Sequence, residues 1–458
     1  VLSLEIIVAG NGKVGEAIVK QLSTEGYNLT LIDNDTGRLQ DLSEHYDCIG
    51  IRGNCASMET LKQGRIDKAD LFIAATGSDE VNLLSAITAK GINPKIHTIA
   101  RIRNPEYIEQ AYVMRNVFGL SMTFNPEKQA AKEIERLLKL PGFLKRDSFA
   151  KGKVEIVELK IDEKSKLKDV SLSTMYKTVK CKVLVCAVLR DGEAFTPTGS
   201  STLREGDKIF VTAPTDALAT LLKNLDIVAH KVKNVVIAGG GMLSYYLAES
   251  LEKQMDVTII EKDEERCKKL SEALGKTNVI CGDVSSKMLL ESERVADADA
   301  LVTSTGIDEQ NIITSIYGKK CKIPTVITKL DRMNDSGFIN DLPLGSVVCP
   351  RTLCCHNIVR YVRAVKNQIG AAVTIHSIAE GYAEAMEFVV DEKTRNCETP
   401  LKNLTLKENV LIVCITRRGV IEIPGGESYF KKGDSVVVVS SRKEVIMGLN
   451  DIFKDDII

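Results

Sequence analysis

The run Ile6-Ile7-Val8-Ala9-Gly10-Asn11-Gly12-Lys13-Val14-Gly15 decides how this chain is read. A short apolar segment breaks into a Gly-x-Gly-x-x-Gly pattern and continues into Glu16-Ala17-Ile18-Val19-Lys20-Gln21-Leu22, which has helical periodicity. Strand, glycine turn and helix in that order form the phosphate-binding start of a βαβ unit. Gly10 permits the turn, Gly12 lets a pyrophosphate approach the backbone, and Gly15 lets the helix pack close to the strand. The free N–H groups of the helix N-terminus then face the phosphates. Eighteen residues after Gly15, the second apolar run Leu29-Thr30-Leu31-Ile32 ends in Asp33. A carboxylate there accepts hydrogen bonds from a ribose diol and opposes a 2′-phosphate. That favours NAD over NADP and leaves ATP or ADP open as users of the same ribose contact. The competing reading is a tight turn with no ligand.

The alternation continues outward from this unit. An amphipathic stretch from Thr36 to His45 leads to a third strand within Tyr46 to Asn54, and Met58 to Gly64 has helical spacing. Ala69 to Ala75 predicts a fourth strand, Asn82 to Lys90 a helix and His97 to Ile102 a fifth strand. Short apolar strands alternating with helices predict a parallel sheet covered on both faces. The texture changes near Asn116. A helix starts at Phe124-Asn125-Pro126-Glu127, runs from Lys128 to Leu140 and stops at Pro141-Gly142. Separated strands at Val154 to Leu159, Val183 to Leu189 and Lys208 to Thr212 then predict a small β-rich domain over 145–220.

Near Asn234 the first texture returns. Val235 to Ser244, with Gly239-Gly240-Gly241-Met242-Leu243 at its centre, lies 229 positions after Ile6 to Gly15, and Val257-Thr258-Ile259-Ile260-Glu261 repeats the second strand with its terminal acid. Cys281-Gly282-Asp283 repeats Arg52-Gly53-Asn54, and Thr305-Gly306-x-Asp308-Glu309-x-Asn311 repeats Thr76-Gly77-x-Asp79-Glu80-x-Asn82 at the same offset. Pro126 and Pro350 precede corresponding helices. Leu203-Arg204-Glu205-Gly206-Asp207 has a counterpart in Phe430-Lys431-Lys432-Gly433-Asp434. The chain is an internal duplication of a two-domain unit with its linker near Leu225 to Lys233, which predicts pseudo-symmetric packing.

Composition narrows the function classes. The 458 residues suffice for about three or four domains. A formal net charge of -1 supplies no basic field for nucleic acid or an anionic membrane surface. No apolar run reaches the roughly 18 residues of a spanning helix. The chain opens directly into a strand rather than a signal peptide, so a cytoplasmic location is expected. Twelve cysteines with no Cys-x-x-Cys spacing predict reduced, mostly buried thiols.

Thr76 lies past the end of a parallel strand, where its hydroxyl is placed to touch phosphate or ribose, while Asp79, Glu80 and Asn82 serve equally well as caps of the next helix. Arg101 and Arg103 are positioned to pair with phosphate, or else form surface charge or a subunit salt bridge; Lys329 stands near the place of Arg101 in the second unit. Ser244 replaces the third glycine, and bulky Met242-Leu243 follow the second turn, so the first unit is the better dinucleotide site. A dehydrogenase needs an acid or base beside the transferred hydride. His97 sits in an apolar strand and is read as a core or edge histidine ahead of a proton donor. Adjacent side chains in Cys354-Cys355-His356 do not converge on one tetrahedral ion, so packing is expected there ahead of a metal or nucleophile. A nucleotide site without catalytic groups reads as a sensor; a cytoplasmic NAD-dependent oxidoreductase is the alternative, and a scaffold with vestigial sites a third.

Beyond the glycine turn, Ala100-Arg101-Ile102-Arg103-Asn104-Pro105-Glu106-Tyr107, the Thr76 to Asn82 set and the run ending at Asp207 resemble the TrkA family of Trk potassium-uptake regulatory proteins over essentially the whole chain. The resemblance implies Rossmann-like doubly wound parallel sheets, called RCK (KTN) domains, each followed by a small α+β RCK-C domain. The implied units are 1–125, a crossover helix and linker over 126–145, a small domain over 146–225, and then 233–348, 349–370 and 371–458. It further implies a homotetrameric ring on the inner face of a membrane potassium transporter or channel subunit, controlled by NAD(H), ATP or ADP, with no nucleic-acid partner. NAD(H) is assigned to the first unit and NAD(H), ATP or ADP to the second. The implied contacts in the first unit are Gly10, Asn11, Gly12, Lys13, Val14, Asp33, Thr76, Asp79, Glu80 and Arg101. Gly15, Asn34, Arg38, Asn54, Cys55 and Gly77 complete that set. The second set is Gly239, Gly240, Gly241, Met242, Leu243, Glu261, Gly282, Asp283, Thr305 and Lys329. Asn54 departs from the family pattern, which has an acid there, as Asp283 is in the second unit.

Overall fold

The computed structural model describes residues 4–113, 115–227, 231–331, 339, 342–365, 374–379, 382–441, 446 and 448–454. Part of the linker expected at Leu225 to Lys233 lies outside them, as does the side chain of His356. The first sheet consists of β1 (Glu5–Ala9), β2 (Asn28–Asp33), β3 (Cys48–Arg52), β4 (Leu71–Ala74), β5 (His97–Arg101) and β6 (Met122–Phe124), all parallel in the order β3-β2-β1-β4-β5-β6. Helices cover both faces, so Ile6, Ile7, Val8 and Ala9 of β1 are all buried and read as a continuous apolar run. The order reverses between β1 and β4, which opens a crevice at their carboxyl ends. Sequence reading missed β6, whose three residues carry no periodicity of their own.

A small antiparallel sheet follows, made of β7 (Lys145–Phe149), β8 (Val154–Lys160), β9 (Leu184–Arg190), β10 (Glu193–Phe195) and β11 (Lys208–Pro214) in the order β10-β9-β11-β8-β7. The duplication then repeats the parallel order with β12 (Asn234–Ala238), β13 (Asp256–Glu261), β14 (Asn278–Cys281), β15 (Ala300–Thr303), β16 (Thr325–Lys329) and β17 (Ser346–Val348). It ends in a second small sheet of β18 (Thr374–Ile378), β19 (Ala383–Val389), β20 (Val410–Arg417), β21 (Val420–Glu422) and β22 (Ser435–Ser441), ordered β18-β19-β22-β20-β21. The Gly-Asp runs that announced the small domains have one structural use. Asp207 is buried and takes two hydrogen bonds from Arg190, each 2.7 Å, while the equally buried Asp434 takes those of Arg417 at 2.9–3.1 Å. Each acid thereby fastens its turn to the end of a neighbouring strand.

The two halves exchange helices. The helix Pro126–Lys139 is capped by Asn125, which accepts the Lys128 N–H at 2.8 Å, and carries Ala130, Ala131, Ile134, Leu137 and Leu138 on one stripe. That stripe enters the core of the second parallel domain, against Leu243, Tyr246, Leu247 and Leu251. In return the helix Pro350–Val365 sends Cys354, Cys355, Ile358, Val359 and Val362 into the first domain's core, against Val14, Ile18, Val19 and Leu22. The small sheets meet as well, with Phe149, Ile156, Cys186 and Phe210 packed among Ala385, Val413, Cys414 and Val437. Neither half therefore completes its core without the other.

Candidate functional site

Both glycine turns are held from the next strand by its terminal acid. Asp33 accepts the Asn11 N–H at 2.6 Å and the Asp35 N–H at 2.9 Å; Glu261 accepts the N–H groups of Gly240 and Asp263 at the same two distances. Each carboxylate is thus fixed at the turn, where a ribose would lie. Gly10 has φ +87° and an added Cβ would stand 2.6 Å from the Thr76 backbone, so only glycine fits. A Cβ on Gly12 or on Gly241 would meet no protein atom within 4 Å. The turn therefore presents bare backbone to open space ahead of the helix N-terminus, as close approach of a phosphate requires.

The loops after β4 and β15 are built alike. Asn82 accepts the Thr76 N–H at 2.8 Å and the Thr76 hydroxyl at 2.7 Å and donates to the Arg101 carbonyl at 2.9 Å; Asn311 makes the same three bonds to Thr305 and Lys329. Both asparagines are fully buried, and their part in organising this edge went unnoticed in the sequence. The helix cap there is Ser78, which accepts the Val81 N–H at 3.2 Å. Asp79 instead turns inward and accepts the N–H groups of Arg103 and Asn104, both at 2.8 Å, which fixes the chain beyond β5. Glu80 is exposed, and a hydrogen bond from Ser78 holds its carboxyl below the usual range. Gly77 accepts a hydrogen bond from Arg103.

Asn54 and Asp283 make the same turn, accepting the N–H of Ala56 at 3.0 Å and of Ser285 at 2.8 Å, so the departure from an acid preserves the loop. Cys55 is buried behind that loop, Gly282 is half-buried, and Asn34 is exposed. Arg38 is exposed beside Asp35 at 3.4 Å, whereas Arg266, its counterpart, folds over the second turn and donates to the Gly240 carbonyl at 2.7 Å. Val14 and Leu243 point into the cores, so only their backbone faces the turn.

The charges differ between the halves. Arg101 pairs with Glu127 at 2.8 Å, and both side chains are largely buried. Glu127 follows Phe124, the register partner of Arg101, by three residues; Arg351 follows Val348, the register partner of Lys329, by the same three. The second unit thus has a cation where the first has an acid, and the buried Nε of Arg351 makes no hydrogen bond among the described residues. Lys329 instead pairs with Asp331 at 3.0 Å, and Lys13 of the first glycine turn reaches the same carboxylate at 3.1 Å. Burial opposes the charge on Asp331, but Lys329 and Lys13 together hold its carboxyl below the ordinary range. Met242 stands in the place of Lys13 in the second turn, so this reach across the halves runs one way.

The remaining candidates are packing groups. His97 Nδ1 lies 2.9 Å from the Tyr361 hydroxyl on the exchanged helix, and burial lowers its affinity for a proton. Cys354 and Cys355 are buried, which pushes Cys355 up to about 12, and Cys354 donates to Gln129 at 3.1 Å. Among the described residues no group of three or more His, Cys, Asp or Glu is placed to hold a metal ion, and no helix is long and apolar enough to cross a membrane.

Residues 6–124 and 235–350 match the TrkA-N domain model, and 156–226 match the TrkA-C domain model. The chain belongs to the TrkA family. This TrkA-family chain is 29% identical over 452 residues to the Trk system potassium uptake protein TrkA homolog of Archaeoglobus fulgidus, covering 98% of this chain and all of that one. It is 27% identical to the Trk system potassium uptake protein TrkA of Vibrio alginolyticus, covering 98% and 99%. Among solved structures it resembles the GsuK channel, with a TM-score of 0.62 at 15% identity over 96% of this chain and 77% of that one. A GsuK channel bound to NAD gives a TM-score of 0.60 at 15% identity, with the same coverage. These relatives carry potassium-uptake and channel names, and the oxidoreductase alternative finds no support in them.

Proposed function

We propose that this chain is the nucleotide-sensing regulatory subunit of a Trk-type potassium uptake system. It would sit at the inner face of the membrane on the translocating subunit, as part of a homotetrameric ring. The observation that carries this reading is the pair of glycine turns, each held by a strand-terminal acid, together with the reach of Lys13 from the first turn to Asp331 of the other half, where the same carboxylate pairs with Lys329. A phosphate over either turn competes with Asp331 for a lysine, so ligand binding alters the contact between the halves. Differential affinity for two such arrangements is what a gating subunit needs; a ligand of equal affinity for both shifts nothing.

The ligands are expected to differ. In the first unit Arg101 is already neutralised by Glu127, which suits the less densely charged pyrophosphate of NAD(H). In the second, Lys329 is likewise paired with Asp331, but Arg351 stands in the place of Glu127, and this additional cation suits the terminal phosphates of ADP or ATP. The relative captured with NAD and the one captured with ADP are both GsuK channels, in keeping with a fold that takes either ligand. Potassium flux through the reconstituted partner, measured with this subunit in NADH, ADP, ATP and no nucleotide, tests the proposal. Flux should depend on the nucleotide, and identical flux in all four conditions would refute it.

A further inference from the structure

The second unit carries two thiols beside its ribose-side acid that the first unit lacks. Cys267, in the first turns of the helix Glu264–Ala273, is buried, and its Sγ donates to the Glu261 carbonyl at 3.2 Å. Cys281 ends β14, stands opposite Glu261 in the parallel register, and is exposed. Alternate strand residues share a face, so Cys281 faces the same way as Val279, which packs in the cluster containing Leu270 of that helix. The thiols therefore approach each other across one helix–strand contact. Burial first, and then the hydrogen bond and charge of Cys281, push Cys267 up to about 11. In the first unit Leu39 and Arg52 take these places, Arg52 standing opposite Asp33 as Cys281 does opposite Glu261.

We propose that Cys267 and Cys281 form a reversible intramolecular disulfide by exchange with a low-molecular-weight disulfide, which makes the second unit alone a redox-modifiable site. The exposed Cys281 gives its proton to solvent, and its thiolate attacks one sulfur of the small disulfide and expels one small thiolate. Cys267 then gives up its proton, and its thiolate attacks the Cys281 sulfur and expels the second small thiolate. The two protein thiols are oxidised, and the small disulfide is reduced to two thiols. Exposure sets the order, because Cys267 is shielded from solvent and reachable through Cys281. The new bond ties the start of the helix Glu264–Ala273 to the Gly282-Asp283 loop, which borders the second glycine turn. Any effect on ligand affinity rests on the nucleotide reading above; formation of the bond does not.

The test treats the reduced full chain with excess oxidised glutathione, alkylates the remaining thiols and maps the peptides by mass. The expected product joins the peptides of Cys267 and Cys281 with the loss of two hydrogens and is reversed by dithiothreitol. In the Cys267→Ser variant a stable glutathione adduct should accumulate on Cys281, and in Cys281→Ser position 267 should stay reduced. A stable glutathione adduct on Cys281 of the wild-type chain, or full alkylation of both thiols after treatment, would overturn the proposal.

Discussion

At the third position of the glycine turn the first unit has Gly15 and the second has Ser244, and the surroundings of each explain the exchange. A Cβ on Gly15 would lie 2.0 Å from the Gly10 carbonyl oxygen, so the first turn has no room for a side chain. In the second turn Ser244 is fully buried, and its hydroxyl donates to the Gly239 carbonyl at 2.5 Å and lies 2.7 Å from the Ser304 hydroxyl. Ser304 takes the place of Ala75, so two serines together replace a glycine and an alanine. The substitution that weakened the dinucleotide pattern in the sequence thus belongs to a matched pair, and the turn around it is more open than the first: Gly239 has φ +104° against +87° at Gly10, and an added Cβ there would stand 2.9 Å from the Thr305 backbone against 2.6 Å from that of Thr76. The halves differ in charge at Lys13 against Met242 and at Glu127 against Arg351, and in the placement of one arginine, exposed at Arg38 and folded over the turn at Arg266.

The largest effect expected from breaking this comparison follows from placing serine at the first turn alone. Gly15→Ser forces a backbone shift and should cost about 3 kcal/mol, read as a lower denaturant midpoint. Ser244→Gly forfeits buried hydrogen bonds worth about 1 kcal/mol. Equal losses in the two variants would mean that the turns are not packed differently.

Much of this was legible beforehand, for reasons that differ by element. The central parallel strands β1, β4 and β15 are buried on both faces, so they appear as uninterrupted apolar runs, and the repeat at a fixed offset exposed the duplication. The glycines and terminal acids were readable because local backbone geometry dictates those residue types. The exchange of the helices Pro126–Lys139 and Pro350–Val365 was not readable, since an amphipathic stripe shows that a face is buried and not what buries it. The Lys13–Asp331 contact joins residues 318 positions apart and has no local signature. The role of Asp79 was hidden for a related reason: its place at a helix start suggested a cap, whereas Ser78 holds the cap and the partners of Asp79 are backbone groups beyond the next strand.

A smaller effect should come from the junction between the first parallel domain and its small sheet. Burial pushes Glu133 up to about 7 despite Arg136 at 2.9 Å, whereas the matching helix position in the second half is Asn357. Because the folded chain holds this proton more tightly than the unfolded chain, stability should fall as pH rises from about 4.5 to about 7, by no more than about 3 kcal/mol. Glu133→Gln should flatten that slope in unfolding curves measured across the window. An unchanged slope would show that the junction does not titrate.

Reversing charge at the second site sharpens the ligand comparison further. Arg351→Glu, which copies the first unit, should weaken ATP binding by about tenfold through loss of a charge-assisted contact worth about 1.5 kcal/mol, and should leave NADH binding unaltered in calorimetric titrations. The smallest effect is expected at the bridge. Asp331→Asn removes the negative charge that a half-exposed lysine shares and should change stability by under about 1 kcal/mol. It should also free Lys13 and Lys329 for phosphate, so nucleotide affinity should rise.

The most direct test of two non-equivalent nucleotide sites is a calorimetric titration of the full chain and its Gly12→Val and Gly241→Val variants with NADH and ATP. An added Cβ at either position meets no protein atom within 4 Å, so folding should be little affected and ligand excluded. Gly12→Val should abolish NADH binding and retain ATP binding, and Gly241→Val should abolish ATP binding and retain NADH binding. Loss of both ligands in either variant, or of neither ligand in both, would contradict the account.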